Sequence, residues 1–254
     1  MLEVQQLTKV FGGITAVQNV TARFERGRIT AVIGPNGAGK STFFNLVSGA
    51  LKPTSGRVLF GGSDVTGLRP DQMATLGVAR TFQTTHLFDR ATVLDNLIIG
   101  HKLRTSFGLW DVLVNTRRLR DVERACRDKA IEALEFVGLA NQVEALAGAL
   151  SQEQRKRVAI ALALATQPKL LLLDEPAGGI NDEETANLGQ LITRIAASGV
   201  TIGLIEHKMG MIMKLAQQVI VLDHGVVIAA EEPGVVQRDP QVIEAYLGAD
   251  HVAT

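Results

Sequence analysis

A single cysteine, Cys126, occurs in this 254-residue chain, which rules out an intramolecular disulfide and suits a reducing compartment, with packing as the ordinary role of a lone thiol. Aromatic residues make up only 4%, so the stacked rings on which single-stranded nucleic acid lies are scarce. Charge of one sign is lacking too: 26 basic residues balance 26 acidic ones, leaving no global field for nucleic acid and no polybasic tract for lipid headgroups. No apolar run reaches the roughly 18–20 residues a membrane helix requires. Glu3 interrupts the start, where a secretion signal would carry basic and then apolar residues. The length suits one large domain, or a compact domain with a subdomain, and is ample for a core.

What the chain does hold begins with Gly34-Pro35-Asn36-Gly37-Ala38-Gly39-Lys40-Ser41. This segment fits the phosphate-loop pattern G-x-x-x-x-G-K-[ST] and follows an apolar run, Ile29 to Ile33, that reads as a buried strand. A triphosphate needs many donors converging on it with no side chains in the way, and glycines let backbone N–H groups curl around it at a helix start. The pattern commits the chain to a nucleoside triphosphate. Lys40 is then directed to the β- and γ-phosphates and the Ser41 hydroxyl to Mg²⁺, with Thr42 completing the cradle. The plain alternative, a glycine-rich turn with a chance lysine, does not account for the full spacing between strand and helix.

From Leu2 to Phe24, apolar and polar residues alternate around a Gly12-Gly13 break, which predicts short strands in an antiparallel patch. A helix is expected from Lys40 to about Ser48, short strands around Gly56 to Phe60, and another strand near Val78 to Phe82. Between Val93 and Val137 the pattern turns helical, with Val122, Ala125, Ile131, Leu134 and Val137 on one face. A helical subdomain is expected over about residues 84–167. After a helix from Ser151 to about Thr166, strand Leu170–Leu173, helix 182–198, strand 200–205, helix 208–215 and strand 218–222 alternate as in a parallel sheet flanked by helices. C-terminal helices are expected over 233–248. The fold class is therefore α/β, a P-loop NTPase whose mostly parallel sheet is flanked by helices and joined by an antiparallel β subdomain and a helical one.

Leu170 to Leu173 runs into Asp174-Glu175, two carboxylates at a strand's C-terminal end, where α/β sheets hold their ligands. This looks like a Walker B site, with Asp174 holding Mg²⁺ directly or through water and Glu175 polarising the water that attacks the γ-phosphate. Gln83 follows one strand, in reach of metal or attacking water, and His207 ends another, in reach of the γ-phosphate. Taken singly, a glutamine is usually surface and a strand-end histidine usually structural. Their order carries more: phosphate loop, Gln83, Ser151-x-x-Gln154, Asp174-Glu175, Asn181 and His207.

In that order and spacing the chain resembles the ATPase subunits of ABC transporters over essentially its whole length, residues 1–254 forming one ABC ATPase domain. The resemblance implies ATP and Mg²⁺ as cofactors, ATP hydrolysis coupled to transport, and a dimer in which each ATP lies between one subunit's phosphate loop and the other's signature helix. It also implies that Phe11 stacks on adenine, core packing being the alternative, and that Gly178 to Asp182 form the loop crossing the dimer interface. Arg80-Thr81-Phe82-Gln83, Leu87-Phe88, Thr92 to Leu97, the extended 101–125 segment and the ending Asp239 to Gly248 are similar to the larger ATPase type of branched-chain amino acid importers. Urea and aromatic-acid importers share much of this pattern, and other subunits choose the substrate.

The family signature L-S-G-G-Q reads Leu150-Ser151-Gln152-Glu153-Gln154 here. Ser151 and Gln154 still form an S-x-x-Q capping box, and an acid in the first turn suits the helix dipole. Glu153, however, puts a carboxylate where the second glycine would admit the other subunit's γ-phosphate, a like-charge approach costing on the order of a few kcal/mol unless the side chain turns away. Leu162 stands where arginine is common, Ile180 where leucine is usual, and Lys208 where aspartate is frequent. The expected assembly is a heterodimer with a second ABC ATPase subunit whose two ATP sites are unequal. It would dock on transmembrane permease subunits at the cytoplasmic face of the membrane and work indirectly with an extracytoplasmic substrate-binding protein. Leu87, Phe88 and Thr92 to Leu97 are candidates for permease contact or for core, and Trp110 for either. Two alternatives stand beside import: an ATP-binding switch without productive hydrolysis, and a non-transport ABC ATPase, which neutral charge and the lack of a coiled-coil insertion disfavour.

Overall fold

The computed structural model describes residues 1–81, 87–102 and 117–250. Strands β1 (Leu2–Phe11) and β2 (Ile14–Phe24) open the chain, and β3 (Ile29–Ile33) leads through the glycine-rich loop into helix α1 (Lys40–Val47). Next come β4 (Ser55–Phe60), β5 (Ser63–Asp64), α2 (Pro70–Leu76) and β6 (Val78–Arg80). Helices α3 (Val93–Lys102), α4 (Arg117–Phe136) and α5 (Gln152–Leu164) follow. The chain then alternates through β7 (Leu170–Asp174), α6 (Asp182–Ala197), β8 (Thr201–Ile205), α7 (Met209–Leu215) and β9 (Gln218–Asp223). It closes with β10 (Val226–Glu231), α8 (Pro233–Val236) and α9 (Pro240–Asp250).

The main sheet has the order β10-β9-β3-β8-β7-β6 and is parallel apart from its β9–β10 hairpin. The inner strands β3, β7 and β8 are buried at every residue and read as nearly unbroken apolar runs because both faces are covered. In β7, Leu171 and Leu173 enter the core beneath the helices, while Leu170 and Leu172 enter the core shared with the antiparallel sheet. All four are fully buried, each worth about 1.5–3 kcal/mol relative to exposure. In β9, Val219 and Val221 face a third core under the C-terminal helices, and Ile220 and Leu222 face the antiparallel side.

The antiparallel sheet runs β2-β1-β4-β5. Its first two strands span 10 and 11 residues, longer than the short strands the sequence suggests. Register shifts between Val4 and Leu7 and between Leu7 and Val10 break the two-residue alternation, and so disguise one long strand as several. Helix α2 was not anticipated, since seven residues are too few to display a helical period. Over residues 93–102 and 117–136 the expected helical character is present.

Candidate functional site

Strand β3 ends at the centre of the sheet, between β8 and β9, so the loop that follows opens at the C-terminal edge of the parallel strands. Gly34 adopts φ 146°, and a Cβ there would stand 1.9 Å from the Leu222 carbonyl oxygen. Gly39, at φ 97°, would place one 2.4 Å from the Ala16 carbonyl oxygen. No side chain fits at either point, and the loop therefore closes tightly against β9 and β2. Lys40, nearly buried, donates to the carbonyls of Gly34 at 2.7 Å and Pro35 at 2.8 Å. Burial pushes its ammonium below the ordinary value, while the charges of Glu175 and Asp174 pull it back up. A buried ammonium satisfied, among the described residues, by its own loop, ringed by backbone that admits no side chain, suits the oxyanions of a phosphate chain. Ser41 and Thr42 follow in the first turn of α1.

Asp174 ends β7, and its Oδ2 accepts from Arg80 Nη2 at 2.8 Å, the two side chains being 7% and 9% exposed. The same guanidinium donates to Asn45 Oδ1 at 2.6 Å and Ser48 Oγ at 3.1 Å. Arg80 thus ties the carboxylate at the end of β7 to the helix that begins in the phosphate loop. In the sequence Arg80 stands out only as part of the segment Arg80-Thr81-Phe82-Gln83 that carries the resemblance, and the strand expected to reach Phe82 ends at Arg80 itself.

Glu175 takes a left-handed backbone, φ 48°, a conformation that costs a non-glycine residue about 1–2 kcal/mol. Its N–H donates to the Ile205 carbonyl at 2.9 Å, and its Oε1 lies 3.0 Å from His207 Nε2. The strain turns the carboxylate off the strand axis toward the residues that follow β8. Just before His207, the buried Glu206 accepts from the backbone of Ala177 at 2.6 Å and of His207 at 2.7 Å. A buried acid between an apolar strand and a candidate histidine was a signal present in the sequence and overlooked. Tyr246 on α9 packs against the third core. Burial pushes its phenol upward, and a hydrogen bond to the Gly34 backbone pulls it back, so the C-terminal helix touches the start of the phosphate loop.

Lys40, Asp174, Glu175 and His207 therefore share one end of the sheet. Gln83 and Trp110 lie outside the described residues. Phe11 is 43% exposed with Lys9 Nζ 5.0 Å above its ring, so it is not a core residue, and its ring lies at the surface. At α5 the capping box forms: Ser151 Oγ accepts from Gln154 N at 3.2 Å, and Gln154 Oε1 from Ser151 N at 2.9 Å. Glu153 does not project freely, because its carboxylate pairs with Arg157 one turn along and is 14% exposed. Arg157 also donates to the Val137 carbonyl at 2.8 Å. The Glu153 charge is therefore compensated by Arg157 within the same helix. Leu162 packs onto α3 over Gly100, where a Cβ would come within 2.4 Å of it. Of the candidates for permease contact, Val93, Leu94 and Leu97 are core, while Phe88 is 58% exposed, its backbone held by Asn96 at 2.8 Å.

The fold and this cleft define a P-loop nucleoside triphosphatase. Residues 17–178 match the family described as ABC transporter, and residues 232–252 the one described as branched-chain amino acid ATP-binding cassette transporter. The chain is 37% identical over 249 residues to the high-affinity branched-chain amino acid transport ATP-binding protein BraF of Pseudomonas aeruginosa, covering 98% of each. It is 38% identical, again over 98% of each, to the corresponding protein LivG of Escherichia coli. Among solved structures, an ATP-binding cassette of an ABC transporter in its ADP conformation superposes with a TM-score of 0.86, at 34% identity and over 98% of both chains. The chain belongs to the ABC transporter family, in its branched-chain amino acid group. It is an ATPase.

Proposed function

We propose that this chain is the ATP-hydrolysing subunit of an importer for branched-chain amino acids, the transport named for its relatives. No helix among the described residues is long and apolar enough to cross a membrane, so movement of a solute requires docking on permease subunits at the cytoplasmic face. The observation that carries the reading is the convergence of Lys40, Asp174, Glu175 and His207, with His207 Nε2 3.0 Å from Glu175 Oε1.

In this reading the segment Gly34 to Thr42 wraps the phosphates with its backbone N–H groups, Pro35 shaping the loop without one, and Lys40 exchanges its two carbonyl acceptors for phosphate oxygens. Phe11 stacks on the base. Ser41, Asp174 and Gln83 hold Mg²⁺, which when bound neutralises phosphate charge. Glu175 takes the proton of the attacking water, and His207 donates to the γ-phosphate as charge moves onto it. Ser151, Glu153 and Gln154 face the ATP of a second ABC ATPase subunit. Because Glu153 fills the glycine position while the chain's own phosphate loop, Glu175 and His207 are present, the assembly is a heterodimer with unequal sites: one hydrolyses briskly, the other turns over slowly. ATP closes the dimer and hydrolysis reopens it, driving release from an extracytoplasmic binding protein through the permease.

Affinity isolation from detergent-solubilised membranes should recover permease subunits, a second ATPase subunit and a binding protein. ATPase of that complex should fall far more with Glu175→Gln than with the corresponding change in the second subunit. Equal losses would sink the unequal sites, and an absence of turnover in the wild-type complex would favour a binding switch instead.

A further inference from the structure

Lys208 stands at the start of α7, where an aspartate would cap the helix by accepting from its first N–H groups. A lysine cannot accept, and α7 has no side-chain cap. The ammonium reaches the other way. Lys208 Nζ donates to the Ile180 carbonyl at 2.8 Å and to Thr185 Oγ1 at 2.7 Å, and lies 3.7 Å from Asp182 Oδ1. Thr185 in turn donates to the Asn181 carbonyl at 2.6 Å.

Two residues earlier, Glu206 grips the other end of the same loop. One carboxylate oxygen accepts from Ala177 N at 2.6 Å, and the other from His207 N at 2.7 Å and Lys208 N at 3.3 Å. His207 therefore sits between two charged side chains, each fastened to the segment 177–185. Its ring faces Glu175, which is joined to the near end of that segment through the Gly178 N–H at 3.2 Å. Hydrogen bonds to a charged group are the stronger kind and fix direction as well as distance. Here they turn two loops from different strands into one body.

We propose that Lys208 is a positioning residue for hydrolysis: with Glu206 it locks His207 to the segment 177–185, to which Glu175 is also joined, and so holds the imidazole in register with the Glu175 carboxylate. This rests on the reading of His207 and Glu175 as hydrolytic residues and of the loop as the segment that crosses to the second subunit. ATP engagement at the other site would then be felt at His207 through the Ile180 carbonyl. The lock acts within one chain, and Lys208 stands where the resemblance leads one to expect aspartate.

The test is ATPase of the assembled complex carrying Lys208→Met, Lys208→Arg, Thr185→Val or His207→Ala, with kcat, KM for ATP and the Hill coefficient measured together. Lys208 is 33% exposed, so its removal leaves the core intact. Lys208→Met should lower kcat by roughly tenfold, the scale of a lost charge-assisted hydrogen bond, with KM little changed and the Hill coefficient reduced toward one. Lys208→Arg should restore most of the rate, and Thr185→Val should give the same split in smaller measure. If His207→Ala abolishes turnover while Lys208→Met leaves kcat and cooperativity at wild-type values, the lock is overturned and the site stands. If Lys208→Met raises KM and lowers the melting temperature in step with kcat, and arginine does not rescue it, the residue is merely structural and the proposal falls. If His207→Ala leaves turnover intact, the reading beneath falls with it.

Discussion

Replacing Arg80 by methionine would leave Asp174 facing an apolar side chain. If the pair were an ordinary surface bridge, its loss would cost about 0–1 kcal/mol. The side chains are 9% and 7% exposed, however, so little water can reach the orphaned carboxylate. Deleting one partner of a buried pair costs about 3–5 kcal/mol, and the burial decides for this larger scale. At about 2–4 °C per kcal/mol for a chain of this size, the melting temperature should fall by roughly 6–20 °C. The bonds from the guanidinium to Asn45 and Ser48 are lost in the same change. Scanning calorimetry of the nucleotide-free chain measures the drop, and the double variant with Asp174→Asn isolates the pair. Because asparagine removes the orphaned charge, the double variant should be less damaged than the two single losses added, by about 0.5–3 kcal/mol. A loss under about 1 kcal/mol, or additivity within about 0.5 kcal/mol, would refute the reasoning.

Three further outcomes are expected. Gly34→Ala forces a Cβ against the Leu222 carbonyl, so titration with a fluorescent ATP analogue should show binding weakened by more than about tenfold; unchanged affinity would mean that β9 yields. On the proposed unequal sites, Glu153→Gly should raise turnover of the assembled complex, and no change would mean the carboxylate, held by Arg157, is tolerated. Burial lowers Lys40 from its ordinary 10.5, whereas bound phosphates favour its charged form. Below the lowered value the ammonium is already present and binding takes up no proton there. Above it, binding must take one up, so affinity falls as pH rises. Calorimetry of ATP binding at alkaline pH in buffers of different ionisation enthalpy measures that uptake; none would contradict the placement of Lys40.

Much of the parallel sheet could be read directly, because strands covered on both faces must be apolar throughout, and Leu170 to Leu173 leave little else to infer. The phosphate loop was equally plain, since its glycines answer to backbone approach rather than to packing. Residues whose meaning lies in distant partners could not be read the same way. Arg80 and Asp174 are 94 positions apart in sequence and meet only because β6 and β7 are neighbours. Glu206 carries no pattern of its own in the sequence, and its role shows only where the backbone of Ala177, 29 positions away, donates to it. The pairing of Glu153 with Arg157 was within reach, as a Glu–Arg spacing of four on a helix brings the two groups together. The helix dipole and the approaching phosphate are both features of the helix N-terminus, and neither points along the helix to Arg157.

The central claim is that Glu175 of this chain drives import of a branched-chain amino acid. Uptake of radiolabelled leucine into proteoliposomes holding the assembled importer, its binding protein and internal ATP measures it most directly. Glu175→Gln should abolish ATP-driven uptake while the complex still binds nucleotide. Uptake by that variant within about twofold of wild type would contradict the account.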